Sequence, residues 1–273
     1  MLTRKNLSIL IDDNPVSRAY IQFLIDKELS LETPIYIIKN NLKILPTSFT
    51  SRVNFTSNNL YPLKYLRMKK ISQFIDYVEN YFEVRKNFLK DMYLYKNIYQ
   101  ISKKIDFVHS KSINSENVIS SLNKNFIYIN TSNQIYKEIL KTNIKFIHIH
   151  PAVLPDIRGA DGSLYMYKLY KSYGATSFFM SKNIDEGEII SQYIKKLENF
   201  KFDLSSTFDI KNIYRLWFSF VDPLIRLVEF EKIISGNSSY LKKNSIIPNN
   251  NKGNYFSYMG NDEINIILTK LFK

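Results

Sequence analysis

LSILIDDNPVSRAYIQFLIDKELSLETPIYII, residues 7–38, runs through a strand, a helix and a second strand. The apolar run 7–11 gives way to Asp12, Asp13, Asn14 and Pro15, side chains that cap a helix and a proline suited to its first turn. Val16, Ala19, Tyr20, Phe23 and Leu24 follow at helical spacing. Residues 33–38 then form a second apolar run rich in β-branched side chains. Strands joined through a helix pair in parallel, so this segment predicts the opening unit of an open α/β sheet.

Working outward, the alternation resumes after residue 106. Residues 107–109, 126–130 and 146–150 predict strands, with helices over 115–122 and 134–140 between them. With the first two, that makes five parallel strands. A further strand over 175–180 should pair with 188–193 across the intervening loop. Residues 40–61 are polar, rich in Ser, Thr and Asn, and read as a connection. Residues 63–104 hold no Gly or Pro and place Leu66, Ile71, Phe74, Ile75, Val78, Phe82, Leu89 and Met92 at helical spacing, which predicts long helices packed on the core. Residues 205–234 also read as helix, with Leu216, Trp217, Phe220, Leu224 and Leu227 suited to packing within or between subunits. Short pieces around 255–259 and a final helix from Asp262 follow. The expected fold is therefore an open, mostly parallel, Rossmann-like twisted sheet with flanking helices over residues 1–204. A small, mainly helical extension over 205–273 completes it as a candidate dimerisation region.

The composition sets outer bounds. With 45% hydrophobic and 23% charged residues the chain is globular rather than disordered, and with no cysteine it has neither a disulfide framework nor a thiolate metal site. The formal charge of +13 suits a nucleic acid, a membrane surface or a phosphorylated small substrate without choosing among them. The excess is dispersed, with no basic block. Apolar runs such as 35–38 and 126–129 fall far short of the roughly 18 residues of a membrane span. Met1 leads within a few residues into the first strand rather than a secretory segment, so the cytoplasm is the expected location.

The chemistry concentrates between residues 147 and 190. His148 and His150 end a buried strand, and the period of two sends both imidazoles to one face at the carboxyl edge, where open α/β sheets build their sites. PAVLPDIRGADG, residues 151–162, is a rigid loop behind them, and Asp185 occupies a tight turn between two later strands, where a carboxylate could meet the histidines. Two other readings compete for the pair: metal ligation, completed by His109 or carboxylates, and buried imidazoles satisfied by backbone partners.

The string HIHPAVLPDIRGAD, residues 148–161, followed by NIDEGEII, residues 183–190, resembles the formyltransferases that use 10-formyltetrahydrofolate. Their pattern is a strand ending Asn-x-His-Pro, a Leu-Pro turn, an Arg-Gly pair and a later Asp-x-Gly. His150, Pro151, Leu154, Pro155, Arg158, Gly159, Asp185 and Gly187 agree in order and spacing, within a match covering residues 106–192. The resemblance implies that His150 moves the proton of an attacking amine and that Asp185 orients and polarises it. The position of the family's oxyanion-binding Asn is held here by His148, whose N–H is expected to serve as a functional replacement. By the same resemblance the folate lies against Asn133, Gln134 and Ile135, against Leu154 and Pro155, and against Asn183, with Arg158 and Gly159 in a substrate loop and no metal required.

The family includes enzymes acting on glycinamide ribonucleotide, on methionyl-tRNA and on nucleotide-linked amino sugars. A tRNA enzyme adds a β-barrel, and residues 205–273 lack the alternating strands for one. The tail resembles that of the sugar enzymes. The implied function is transfer of formyl to the amine of a nucleotide-linked amino sugar for surface polysaccharide synthesis, with neither membrane nor nucleic acid as partner and a homodimer as the candidate assembly. The alternatives are a methionyl-tRNA formyltransferase and a formyltransferase-fold binding protein that has lost catalysis at His148. Acceptor contacts are expected from residues 40–61 and the helices after them.

Overall fold

The computed structural model describes residues 6–39, 66–94, 98–235 and 253–272. The expected open α/β architecture is present. Strands β1 (Leu7–Asp12), β2 (Ile35–Lys39), β3 (Ile105–His109), β4 (Ile127–Asn130) and β5 (Lys145–His150) pair in parallel in the order β3-β2-β1-β4-β5. Beyond β5 the sheet turns antiparallel through β7 (Ser172–Phe179) and β8 (Ile189–Lys196), which gives seven strands. A second, two-stranded sheet joins β6 (Ile157–Gly159) to β9 (Asn254–Phe256) in parallel. The strand order reverses between β1 and β4, and there the carboxyl ends of neighbouring strands diverge and leave a crevice.

Local chemistry explains the helices that flank the sheet. In α1 (Pro15–Asp26), Asn14 caps the first turn by accepting from the backbone of Val16 and Ser17, while Ser17 returns a bond to the Asn14 N–H. The amide of Asn14 also donates to the Thr131 carbonyl, so the cap ties β1 to the end of β4. The short helix α4 (Glu116–Ser121) is capped by Ser115 within the segment predicted for it.

Two predicted helices take other forms. Residues 134–140 yield only a 3-10 turn over Glu138–Lys141. Side chains satisfy the preceding backbone instead: Asn130 accepts from the Ser132 N–H, the Ser132 hydroxyl accepts from the Gln134 N–H, and Asn114 accepts from the Lys137 N–H. Such bonds compete with helix formation. The long helices expected over 63–104 are short pieces, α2 (Lys69–Tyr81) and α3 (Phe88–Leu94), then a 3-10 turn at Ile98–Gln100. Between α2 and α3 the chain reverses through Glu83 and Asn87 at positive φ, and the buried Glu79 carboxylate accepts the N–H groups of Asn87 and Leu89 to start α3.

The helix predicted over 205–234 begins late, at Ile210 rather than at Ser205. After α5 (Gly162–Tyr170), helix α6 (Ile210–Leu216) starts at an Asp209 cap, passes through a π-helical turn over Trp217–Val221 and continues as α7 (Asp222–Ser235). Pro223 has no N–H to give the Ser219 carbonyl four residues back, and the Tyr93 hydroxyl takes that carbonyl at 2.9 Å. The final helix, α8 (Asn261–Leu271), begins one residue before the predicted position.

These C-terminal elements share the core of the sheet. Tyr20 of α1 stacks on Phe230 of α7 with ring centroids 4.0 Å apart, and Phe200, Trp217 and Phe272 close the far side of the same cluster. Leu216, Trp217, Phe220, Leu224 and Leu227 are buried within this single chain. Among the described residues no helix is long and apolar enough to cross a membrane.

Candidate active site

The crevice opens into a cavity of about 760 Å³. Its walls come from the cap of α1 at Asn14, from the turn after β4 at Asn130 to Tyr136, from His148 and His150 on β5, from the β7–β8 loop, and from Tyr214 to Arg226 with Tyr255 and Tyr258. Strand pairing makes β5 the bridge between the parallel and antiparallel parts: His148 lies opposite Phe178 and His150 opposite Thr176.

His150 is almost fully buried, with Nε2 3.0 Å from the carbonyl of Ile157. A carbonyl only accepts, so Nε2 carries the hydrogen and Nδ1 keeps the lone pair. Nδ1 faces Asp185, whose Oδ2 is 3.7 Å away. That separation is too long for a shared proton and close enough for the carboxylate to stabilise an imidazolium once Nδ1 accepts one. A Cβ on Gly162, the first residue of α5, would stand 3.0 Å from His150 Nε2, so the helix start closes directly behind the ring.

Asp185 sits at φ 55° in the β7–β8 loop. The Gly159 N–H donates to its Oδ2 at 2.8 Å, and next to it Arg158 pairs with Glu186 at 2.7 Å while the Asn183 amide holds the other Glu186 oxygen. The Arg-Gly pair thus fastens the loop that carries the carboxylate. Gly187 permits the turn: a Cβ there would lie 1.5 Å from the Phe179 carbonyl oxygen.

Burial, then the charge of Arg226, lowers the His148 pKa to about 3. Burial likewise lowers His150, against a partial counterweight from Asp185. Burial alone would raise Asp185, but its coupling to His150 and His148 as they take up protons, with the Gly159 N–H and Arg226, outweighs it and holds the carboxyl below its ordinary range. At neutral pH the site therefore holds two neutral imidazoles and one carboxylate, the protonation state a general base requires.

The other predicted residues divide. Asn133, Gln134, Ile135, Asn183 and Gly159 line the cavity together with the two histidines and Asp185. Leu154 is buried against Phe178 and Ile189, its N–H on the Thr176 hydroxyl, and neither Leu154 nor Pro155 is among the cavity-lining residues. Arg158 also stands behind the wall, on Glu186. Of the segments expected to contact an acceptor, residues 40–61 fall outside the described residues, and no residue of α2 or α3 lines the cavity.

The C-terminal wall was not expected from the sequence. Arg226 spans from the Asp222 carboxylate, 2.8 Å from Nε, to the Ile149 carbonyl between the two histidines, 2.5 Å from Nη1. Asp222 is buried and accepts from the Ser163 hydroxyl, which accepts from the Trp217 indole. Asp161 holds Tyr214 by one oxygen and the Met259 N–H by the other, drawing α6 and the last segment onto the rim. The available signal was Asp222 and Arg226 at i and i+4 within the otherwise largely apolar residues 216–228, a spacing at which oppositely charged side chains pair on a helix.

No family model and no curated protein sequence matches the chain. Solved structures do. A 4-N formyltransferase from Francisella tularensis is similar at 14% identity and TM-score 0.49, over 98% of this chain and 88% of the other. A sugar N-formyltransferase from a Shewanella species gives 15% identity and TM-score 0.48 over 98% and 88%. An N-formyltransferase from Helicobacter canadensis, in complex with folinic acid and dTDP-3-aminofucose, gives 14% and 0.46 over 98% and 80%. The likeness is to formyltransferases.

Proposed function

We propose that this chain is an N-formyltransferase that moves formyl from 10-formyltetrahydrofolate to the amine of a nucleotide-linked amino sugar destined for surface polysaccharide. The carrying observation is His150 Nδ1, unprotonated and facing an ionised Asp185, on the wall of a cavity of about 760 Å³.

The lining fits a flat, partly apolar donor beside a charged acceptor. Ile135 and Ile184 stand on the wall 59% and 45% exposed, apolar surface left open by the described residues. Lys182 and Arg215 bring positive charge suited to a diphosphate. When bound, the donor supplies an electrophilic formyl carbon whose oxygen gains negative charge as the amine adds. His150 Nδ1 takes the amine proton as the new C–N bond forms, Asp185 stabilises the resulting imidazolium, and the proton passes to the departing folate nitrogen as the old C–N bond breaks. The His148 N–H faces the same space and serves the oxygen. The wall from Tyr214 to Arg226, with Tyr255 and Tyr258, is assigned to the acceptor side of the cavity, with any dimer contact of the C-terminal extension secondary to that role.

The test is incubation of purified protein with 10-formyltetrahydrofolate and a panel of 3-amino and 4-amino nucleotide sugars, read by mass spectrometry. One sugar should exchange an amine hydrogen for a formyl group, and the His150→Gln protein should leave it unchanged. Formylation of methionyl-tRNA alone, or of nothing, would overturn the assignment of the acceptor or of the reaction.

A further inference from the structure

The surroundings of β4 determine which nitrogen of His148 carries its proton. The Asn130 side chain receives two donors on one oxygen: the backbone N–H of Ser132 at 2.7 Å and the Tyr136 hydroxyl at 2.6 Å. A backbone N–H can only donate, so that atom is Oδ1 and the amide has one orientation. Its nitrogen then lies 3.3 Å from the Ser132 carbonyl and 3.3 Å from His148 Nδ1. An amide nitrogen only donates, so Nδ1 must accept. A proton on Nδ1 would set two donors face to face, which disfavours both the other tautomer and the imidazolium. Turning the ring over would place carbon against the amide and abandon the bond, and Phe178 meets the ring edge-on at 5.8 Å between centroids. Nε2 is left with the hydrogen. The ring's side-chain bond is made at Nδ1, and His148 lines the cavity.

We propose that Asn130 is a positioning residue that locks His148 as a neutral imidazole with its single N–H, at Nε2, directed into the cavity toward the oxygen of the group being transferred. The lock itself is independent of the reaction; only the role of the N–H rests on the transferase reading. Ser132 and Tyr136 are part of the device, because they decide which end of the amide His148 meets. A tyrosine six residues from an asparagine in a turn thereby sets a proton on a strand two elements away.

Protein labelled with ¹⁵N-histidine tests the lock without substrate. The chain has three histidines, so long-range ¹H–¹⁵N correlation can assign each after single replacement of His109 and His148. Wild type should show His148 with Nδ1 unprotonated and Nε2 protonated near neutral pH. Asn130→Asp keeps an acceptor for Ser132 and Tyr136 but offers a carboxylate to Nδ1, which should become protonated; should that variant not fold, Asn130→Ala should give a mixture of tautomers. A protonated Nδ1 in wild type, or a His148 signal unmoved by either change, would overturn the proposal. For the N–H, His148→Asn restores a donor and should keep kcat within about tenfold, whereas His148→Leu should lose about 10²–10³ in kcat with little change in KM. Equal losses in the two variants would remove the donor role while leaving the tautomer result standing, and absence of any transfer by wild type would count against the transferase reading alone.

Discussion

At the residue scale the site depends on which atoms are free to accept or give a proton. His150 gives its Nε2 hydrogen to a backbone carbonyl and so presents Nδ1, and Asp185 is held ready beside it by the Gly159 N–H. His150→Gln keeps a polar side chain but removes the base, and a fall of about 10²–10⁴ in kcat is expected from steady-state kinetics. Asp185→Asn should cost less, because the base remains and only the stabilisation of its cation is lost. A kcat for His150→Gln within threefold of wild type would remove His150 from proton transfer.

At the element scale, the short strand β6 does more than its three residues suggest. It pairs with β9, caps the His150 ring through Ile157 and holds the β7–β8 loop through Arg158 and Gly159. Gly159 has φ 93°, and a Cβ there would meet the Phe256 carbonyl oxygen at 2.1 Å. Gly159→Ala therefore forces β6 away from β9 and draws the N–H from Asp185. A loss of about 1–3 kcal/mol in stability is expected from denaturant unfolding, with activity falling further than stability alone explains. An alanine variant as stable and active as wild type would show that the pairing is dispensable.

At the scale of the whole molecule, buried charge couples folding to pH. His148 and His150 stay neutral in the folded chain below their ordinary value of 6.5, whereas the unfolded chain takes up protons there. The unfolded state then binds more protons, so stability is lost as pH falls from 6.5 toward the lowered folded values. Asp185, also lowered, adds a loss as pH falls through 3.8, while Asp12 and Asp161, raised chiefly by burial, act in the opposite direction in the carboxylate range. Between pH 7 and pH 5 the expected loss is about 2–4 kcal/mol, a fall of several degrees in Tm. His148→Asn should flatten that dependence, and an unchanged slope in the variant would show that His148 titrates normally. Removal of residues 236–273 is expected to lower Tm as well, since β9 and α8 supply the partner of β6 and the Met259 contact to Asp161.

The sequence by itself determined the parallel sheet, the order of its elements, the placing of His148 and His150 on one strand end, and the meeting of His150 with Asp185. These follow from periods of two and 3.6 residues, from local caps and from a motif whose members lie close along the chain, and local signals survive folding. It misjudged residues 134–140 and the region of α2 and α3, where individual side chains took over backbone hydrogen bonds that a helix would have used. Only the tertiary structure decided the rest. The approach of Arg226 to the Ile149 carbonyl spans 77 positions, and that of Asp161 to the Met259 N–H spans 98. No spacing rule encodes such contacts, because their energy comes from burying charge and polar backbone together, which exists only once the chain has closed around them. The two neutral imidazoles belong to this class: their identity is in the sequence, but their protonation is set by what surrounds them.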